Sequence, residues 1–112
     1  MATEARLAAG IWVAAYLARL AAANIPAYVN RRGDATAGAV LVKCATLDGR
    51  ASLWAREYDL DSGLRHWVTI AEDGEAAVDQ AIARQTGFDP DIWVIEIESR
   101  DGRTLLDQEG LA

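Results

Sequence analysis

Two hydrophobic periodicities divide the chain. Over residues 7–22 apolar positions recur at helical spacing, with Leu7, Ile11, Ala14, Ala18 and Ala22 as one stripe and Trp12, Tyr16 and Leu20 beside it. Thr3 precedes the segment as a modest N-cap. Asn24 and Pro26 end it, because proline disfavours helical geometry in the residue before it. Residues 27–71 then read as four β-rich runs, AYVNR, GAVLVKCATL, RASLWAREYDL and LRHWVTIA. Asp48-Gly49 predicts a two-residue hairpin, in which both positions need positive φ. Counting back from that turn sets Leu47 opposite Arg50, Cys44 opposite Leu53, Lys43 opposite Trp54, Val42 opposite Ala55 and Leu41 opposite Arg56. A second turn at Asp61-Ser62-Gly63 brings His66 near Tyr58 and Val68 near Arg56.

The period returns to helix in EDGEAAVDQAIARQTGF, with Asp73 as N-cap and Val78, Ala81, Ile82 and Gln85 as the inward stripe. Gly87 followed by Phe88 reads as a Schellman end. In FDPDIWVIEIESRDGRTLL, Trp93, Ile95 and Ile97 alternate with Val94, Glu96 and Glu98, as in a strand. Asp101-Gly102 predicts a tight turn into a short edge strand, and DQEGLA a frayed tail. The resulting order, α-β-β-β-β-α-β-β, is not the alternation of a doubly wound parallel sheet. It predicts one α+β domain over residues 1–112, an antiparallel meander with two packed helices.

Composition narrows the function classes. A content of 52% hydrophobic and 25% charged residues suits a globular core and excludes a disordered chain. The net charge is −6, with +2 in residues 1–70 and −8 in residues 71–112. That balance disfavours nucleic acid as a partner. One cysteine, Cys44, and one histidine exclude a disulfide framework and a multi-cysteine zinc cage, and no metal or cofactor is expected. Flanked by apolar residues, Cys44 reads as a small buried hydrophobe in a reducing compartment. The apolar stretch near the N-terminus has the look of a secretory signal. Glu4 and Arg19 argue instead for a core helix in a cytoplasmic chain with no membrane span.

Candidate chemistry begins at Arg31-Arg32-Gly33-Asp34. A phosphate cradle needs a helix N-terminus after the glycines, and here they lead into β-rich sequence, so a turn is expected, with both arginine side chains left free. GAVLVKCATLDGRASLWARE resembles the first hairpin of Nudix hydrolases. The Glu-rich metal-binding helix of those enzymes has no counterpart in DGEAAVDQAIARQTG, which excludes that chemistry. His66 has no readable triad around it. The predicted register gathers Lys43, Trp54, Arg56, Tyr58 and His66 on one mixed face, where aromatic rings among cations suit an interface. The first reading is a non-enzymatic binding or assembly module that docks a protein partner, or a second copy, through that face. The alternative is a small enzyme or binding protein for an anionic metabolite bearing phosphate or carboxylate. In it Arg31, Arg32 and Arg56 clamp the anion and His66 serves as base.

The segments RRGDATAGAVLVK, RHWV, EAAVDQAIARQ and FDPDIWVIEIESRDGR together resemble a family of small alphaproteobacterial proteins, domain of unknown function 1491. The resemblance spans nearly the whole chain, and FDPDIW is its most specific stretch. It implies a bacterial cytoplasmic protein and carries over no catalytic residue.

Overall fold

The computed structural model describes residues 7–112. Helix α1 spans Ala9–Ala22, strand β1 Ala27–Arg31, β2 Val40–Ala45, β3 Arg50–Tyr58, β4 Arg65–Gly74, helix α2 Glu75–Phe88 and β5 Trp93–Glu98. The class is α+β. The five strands lie in the order β1-β5-β2-β3-β4. β2, β3 and β4 form the expected antiparallel meander. β5 departs from it: it enters between β1 and β2, antiparallel to β1 and parallel to β2, so the sheet is mixed. A parallel neighbour needs a long crossover, and β3, β4 and α2 together supply it.

The helices cover opposite faces. α1 buries Trp12, Val13, Tyr16 and Leu20 against Val40, Val42 and Cys44 of β2 and Trp93, Ile95 and Ile97 of β5. On the other face, Val78 of α2 packs on Leu41, Leu53 and Val94. β2 is therefore buried on both sides along its length, and its unbroken apolar run follows from that position. The stripe of Leu7, Ile11, Ala14, Ala18 and Ala22 faces solvent, and the adjoining stripe faces the core. Bulk decides between them, because Trp12, Tyr16 and Leu20 withdraw more apolar surface from water than alanines do.

The hairpin register differs from expectation by one residue. Thr46 N donates to Arg50 O at 3.2 Å, leaving a three-residue loop in which Leu47 and Gly49 have φ of 62° and 87°. The Asp48 carboxylate accepts from Thr46 Oγ1 at 2.6 Å and from Arg50 N at 3.1 Å, holding those two residues across from each other. Val42 consequently faces Trp54, Lys43 faces Leu53 and Cys44 faces Ser52. A one-residue slip exchanges the two sides of a strand, so Lys43 and Trp54 project from opposite faces. Both sheet edges also carry a bulge, at Asn30 of β1 and at Ile70 of β4, a feature that discourages edge-to-edge pairing.

Other local expectations are corrected at the element ends. Thr3 lies outside the described residues; Ala8 holds the N-cap position of α1 without a side-chain bond. Ala9 N and Gly10 N donate instead to Thr36 O and Ala35 O. β4 runs straight into α2, so Gly74 and not Asp73 stands at the cap. Phe88 is 91% exposed and continues the helix in place of a Schellman turn. Gly102 turns the chain with φ of 71°, but no sixth strand follows among the described residues. The tail does not fray: Leu105, Leu106 and Leu111 join the α1-side core. Tyr16 OH donates to Thr104 O at 2.8 Å and Arg19 Nη1 to Glu109 O at 2.7 Å, which straps the tail to α1.

Candidate functional site

The structure separates the residues that the sequence grouped. Arg31 Nη2 donates to Pro90 O at 2.9 Å, and the Arg32 guanidinium lies 5.6 Å from the centre of the Trp93 ring. The turn after them is closed internally. Thr36 N and Ala37 N donate to Asp34 Oδ2 at 3.1 and 2.8 Å, so those backbone donors already hold a carboxylate. Gly33 and Gly38 press on the Asp91 carbonyl, with which any Cβ at either position would collide.

Lys43 is 2% exposed and sits on the α2 side. Its ammonium meets Glu75 at 2.9 Å, Asp79 at 2.8 Å and Glu96 at 3.5 Å. Burial alone pulls the Lys43 pKa down. The hydrogen bonds to Asp79 and Glu75 and the charge of Glu96 outweigh it, leaving the ammonium above its ordinary range. This group ties α2 to β2 and β5 and is not part of a docking face.

Arg56 lies across from Trp67 and Tyr58 across from Arg65, whereas His66 lies across from Glu57 on the opposite side of the sheet. The expected His66–Tyr58 pairing is therefore absent. The Arg56 guanidinium is stacked between two indoles, 4.5 Å from the Trp12 ring centre and 4.6 Å from that of Trp67. Trp12 also stacks on Tyr16 at 4.9 Å. Each cation–π contact contributes about 0.5–2 kcal/mol, and here both fasten α1 to β3 and β4. Arg31 and His66 belong to opposite edge strands, four strand spacings apart or roughly 19 Å. The clamp of Arg31, Arg32 and Arg56 with His66 as base is not brought together at one place.

What the structure does open is a trough on the α1 side of β3 and β4. Its larger lobe, of about 810 Å³, is lined by Trp54, Trp67, Arg103, Thr104, Asp107 and Gln108 among others, with His66 of the edge strand β4 also in its lining. The smaller, of about 400 Å³, is lined by Arg50, Ser52, Trp54, Thr69, Glu72 and Arg100 together with Asp48 and Asp101. Trp54 and Gly102 line both lobes. The Trp54 indole packs partly on the α1-side core, and its Nε1 donates to Ser52 Oγ at 3.0 Å. Trp67 Nε1 donates to Leu111 O at 2.6 Å, which sets the tail as the far wall.

Sequence reasoning singled out Trp54 and missed most of its surroundings. Thr69 and Glu72 lie three apart, a spacing that puts residues on opposite faces of a regular strand. The extra residue at Ile70 brings both to the Trp54 side, where Thr69 faces Trp54 and Glu72 faces Ser52. Among the described residues no group of three His, Cys, Asp or Glu side chains is placed to hold a metal. No helix there is long and apolar enough to cross a membrane.

A mixed five-stranded sheet between two helices, with an open trough beside the first, defines a small α+β domain. The family model described as "Protein of unknown function (DUF1491)" matches residues 7–107, and the chain belongs to that family. It is similar to the crystal structure of a DUF1491 family protein from Caulobacter crescentus. The TM-score is 0.80 at 41% identity, over 90% of this chain and 93% of the other. It is also similar to the solution structure of a protein from A. tumefaciens, with a TM-score of 0.72 at 30% identity, over 85% and 87% of the two chains. No curated protein matches.

Proposed function

We propose that this protein is a non-enzymatic assembly module that pairs with a second copy of itself through the outer face of α1. The observation that carries this reading is that α1 is apolar around its circumference. Trp12, Val13, Tyr16 and Leu20 occupy the core side, while Ile11 is 60% exposed and Ala14, Ala18, Ala21 and Ala22 face solvent beside it. Arg19 is the one charged side chain of the helix, and it is drawn aside to Glu109 O. A surface helix ordinarily presents a polar outer face; one that is hydrophobic all round is ordinarily buried.

A second copy fits this face for three reasons. The chain carries a net charge of −6, so an uncharged face is where two copies meet with least repulsion. Ile11 sits toward one end of the helix and the small alanines toward the other, so a two-fold antiparallel pairing seats each bulky end on a shallow one. Antiparallel helices also align their dipoles favourably. A 14-residue helix is about 21 Å long, too short by itself to bury the roughly 1,200–2,000 Å² of a stable interface. The pairing is accordingly weak and set by concentration.

Sedimentation velocity over rising protein concentration tests the proposal. The wild-type mass rises toward that of a dimer, whereas Ile11→Glu and Ala18→Glu stay monomeric with unchanged unfolding midpoints. A wild-type chain that stays monomeric at every concentration, or variants that associate as it does, overturns the reading.

A further inference from the structure

We infer that the Trp54 trough is a binding site for an uncharged, polyhydroxylated ligand, that is, a saccharide chain laid across the indole. The inference does not depend on self-association, since the outer face of α1 contributes nothing to the trough. Three observations carry it. First, the two lobes of about 810 and 400 Å³ meet at Trp54 and Gly102. Each lies within the roughly 300–1,000 Å³ range of small-molecule sites, so together they suit an elongated ligand more than a compact one. Gly102 carries no side chain to divide them, and the space where its Cβ would stand is open.

Second, the trough mixes both charges, with carboxylates in slight excess. The smaller lobe sets two guanidinium groups, Arg50 and Arg100, against the carboxylates of Asp48, Glu72 and Asp101; the larger sets Arg103 against Asp107. The Asp48 and Asp101 carboxyls are held below their usual pKa, first by hydrogen bonds from Thr46 and Ser99 respectively, so both stay ionised near neutrality. A phosphate or a nucleic-acid backbone entering here meets carboxylates on its own footing. A neutral ligand meets none of that repulsion, and each of its hydroxyls can donate to a carboxylate and accept from a guanidinium.

Third, the Trp54 N–H is already bonded to Ser52 Oγ, which leaves the ring surface and not its polar edge for contact. The negative face of an indole attracts the weakly positive C–H groups on the apolar side of a sugar ring. Around it the side chains of Arg50, Thr69, Glu72 and Arg100 make no hydrogen bond or ion pair among the described residues. Donors and acceptors not engaged elsewhere among the described residues thus stand beside a hydrophobic platform.

The test is a titration of the full chain with maltotriose, cellotriose and chitotriose, with adenosine and adenosine monophosphate as comparison arms, followed through the tryptophan indole N–H resonances. At least one trisaccharide shifts the Trp54 and Trp67 signals saturably and leaves that of Trp93, outside the trough, in place. Trp54→Ala weakens that binding tenfold or more, and the double variant Thr69→Ala/Glu72→Ala, at exposed positions that leave the core untouched, weakens it severalfold. The inference is overturned if no trisaccharide gives a saturable shift, if the shift survives in both variants, or if only the adenosine compounds bind.

Discussion

On one side of the sheet α1 sinks four large side chains into a core that also takes Trp93, Ile95, Ile97 and three leucines of the tail. On the other side α2 sinks Val78 and rests Ala81 and Ile82 at the margin, while Lys43 reaches up from β2 to two of its carboxylates. The first helix is held by area and aromatic stacking, the second by one valine and a buried ammonium. Each should therefore respond to different perturbations. The apolar side depends on shape, and the charged side depends on protonation and salt.

The largest effect is expected from Trp12→Ala, which removes an indole that is 3% exposed and touches Arg56, Tyr16 and Trp67 at once. A loss of about 3–5 kcal/mol in urea unfolding is expected; a loss well below that would mean the stack packs loosely. Lys43→Ala leaves three carboxylates facing a void. Breaking a buried pair costs about 3–5 kcal/mol, but Glu75 and Asp79 remain 44% and 57% exposed, so about 2–3 kcal/mol is expected. Hydrogen exchange should localise that loss to α2 and spare α1.

The next comparison uses pH. Lys43 is raised above its ordinary 10.5, so its contribution is complete below pH 10.5 and fades as pH climbs through the higher folded value. Burial, together with the charge of Cys44, raises the Tyr16 phenol above its ordinary 10.0, so the neutral ring on the α1 side also loses stability as pH climbs above 10.0. Alkaline unfolding curves of Lys43→Met and Tyr16→Phe should each lose part of the wild-type slope, and a slope unchanged in either variant removes that group from the account. The smallest effect is expected at neutral pH from Tyr16→Phe, which forfeits the bond to Thr104 O at a cost of about 1 kcal/mol.

How far the fold was legible follows from which forces are local. Helix and strand periods located all seven elements, because they depend on neighbours within a few residues. The position of β5 was not legible, since WVIEIE pairs equally well beside either kind of neighbour and only the crossover decides. The hairpin slip turned on the Asp48 side chain, which ties Thr46 to Arg50 and adds one residue to the loop. That single residue moved Lys43 away from Trp54. On α1 the period gave no direction, because alanine satisfies an apolar pattern on either side of a helix. Trp54 was recognisable as an aromatic among polar neighbours, but Arg100, Arg103 and Gln108 reach the trough only because the tail folds back. No local pattern in RDGRTLLDQ announces that return.

The strap from tail to α1 has a consequence for synthesis. The bonds Tyr16 to Thr104 and Arg19 to Glu109 join residues 88 and 90 positions apart. During translation α1 therefore leaves the ribosome well ahead of the segment that closes over it, and some 88–90 further residues must follow before those two bonds can exist. Contacts of such high sequence separation form late, and until they do the helix is exposed to whatever factor first meets the emerging chain.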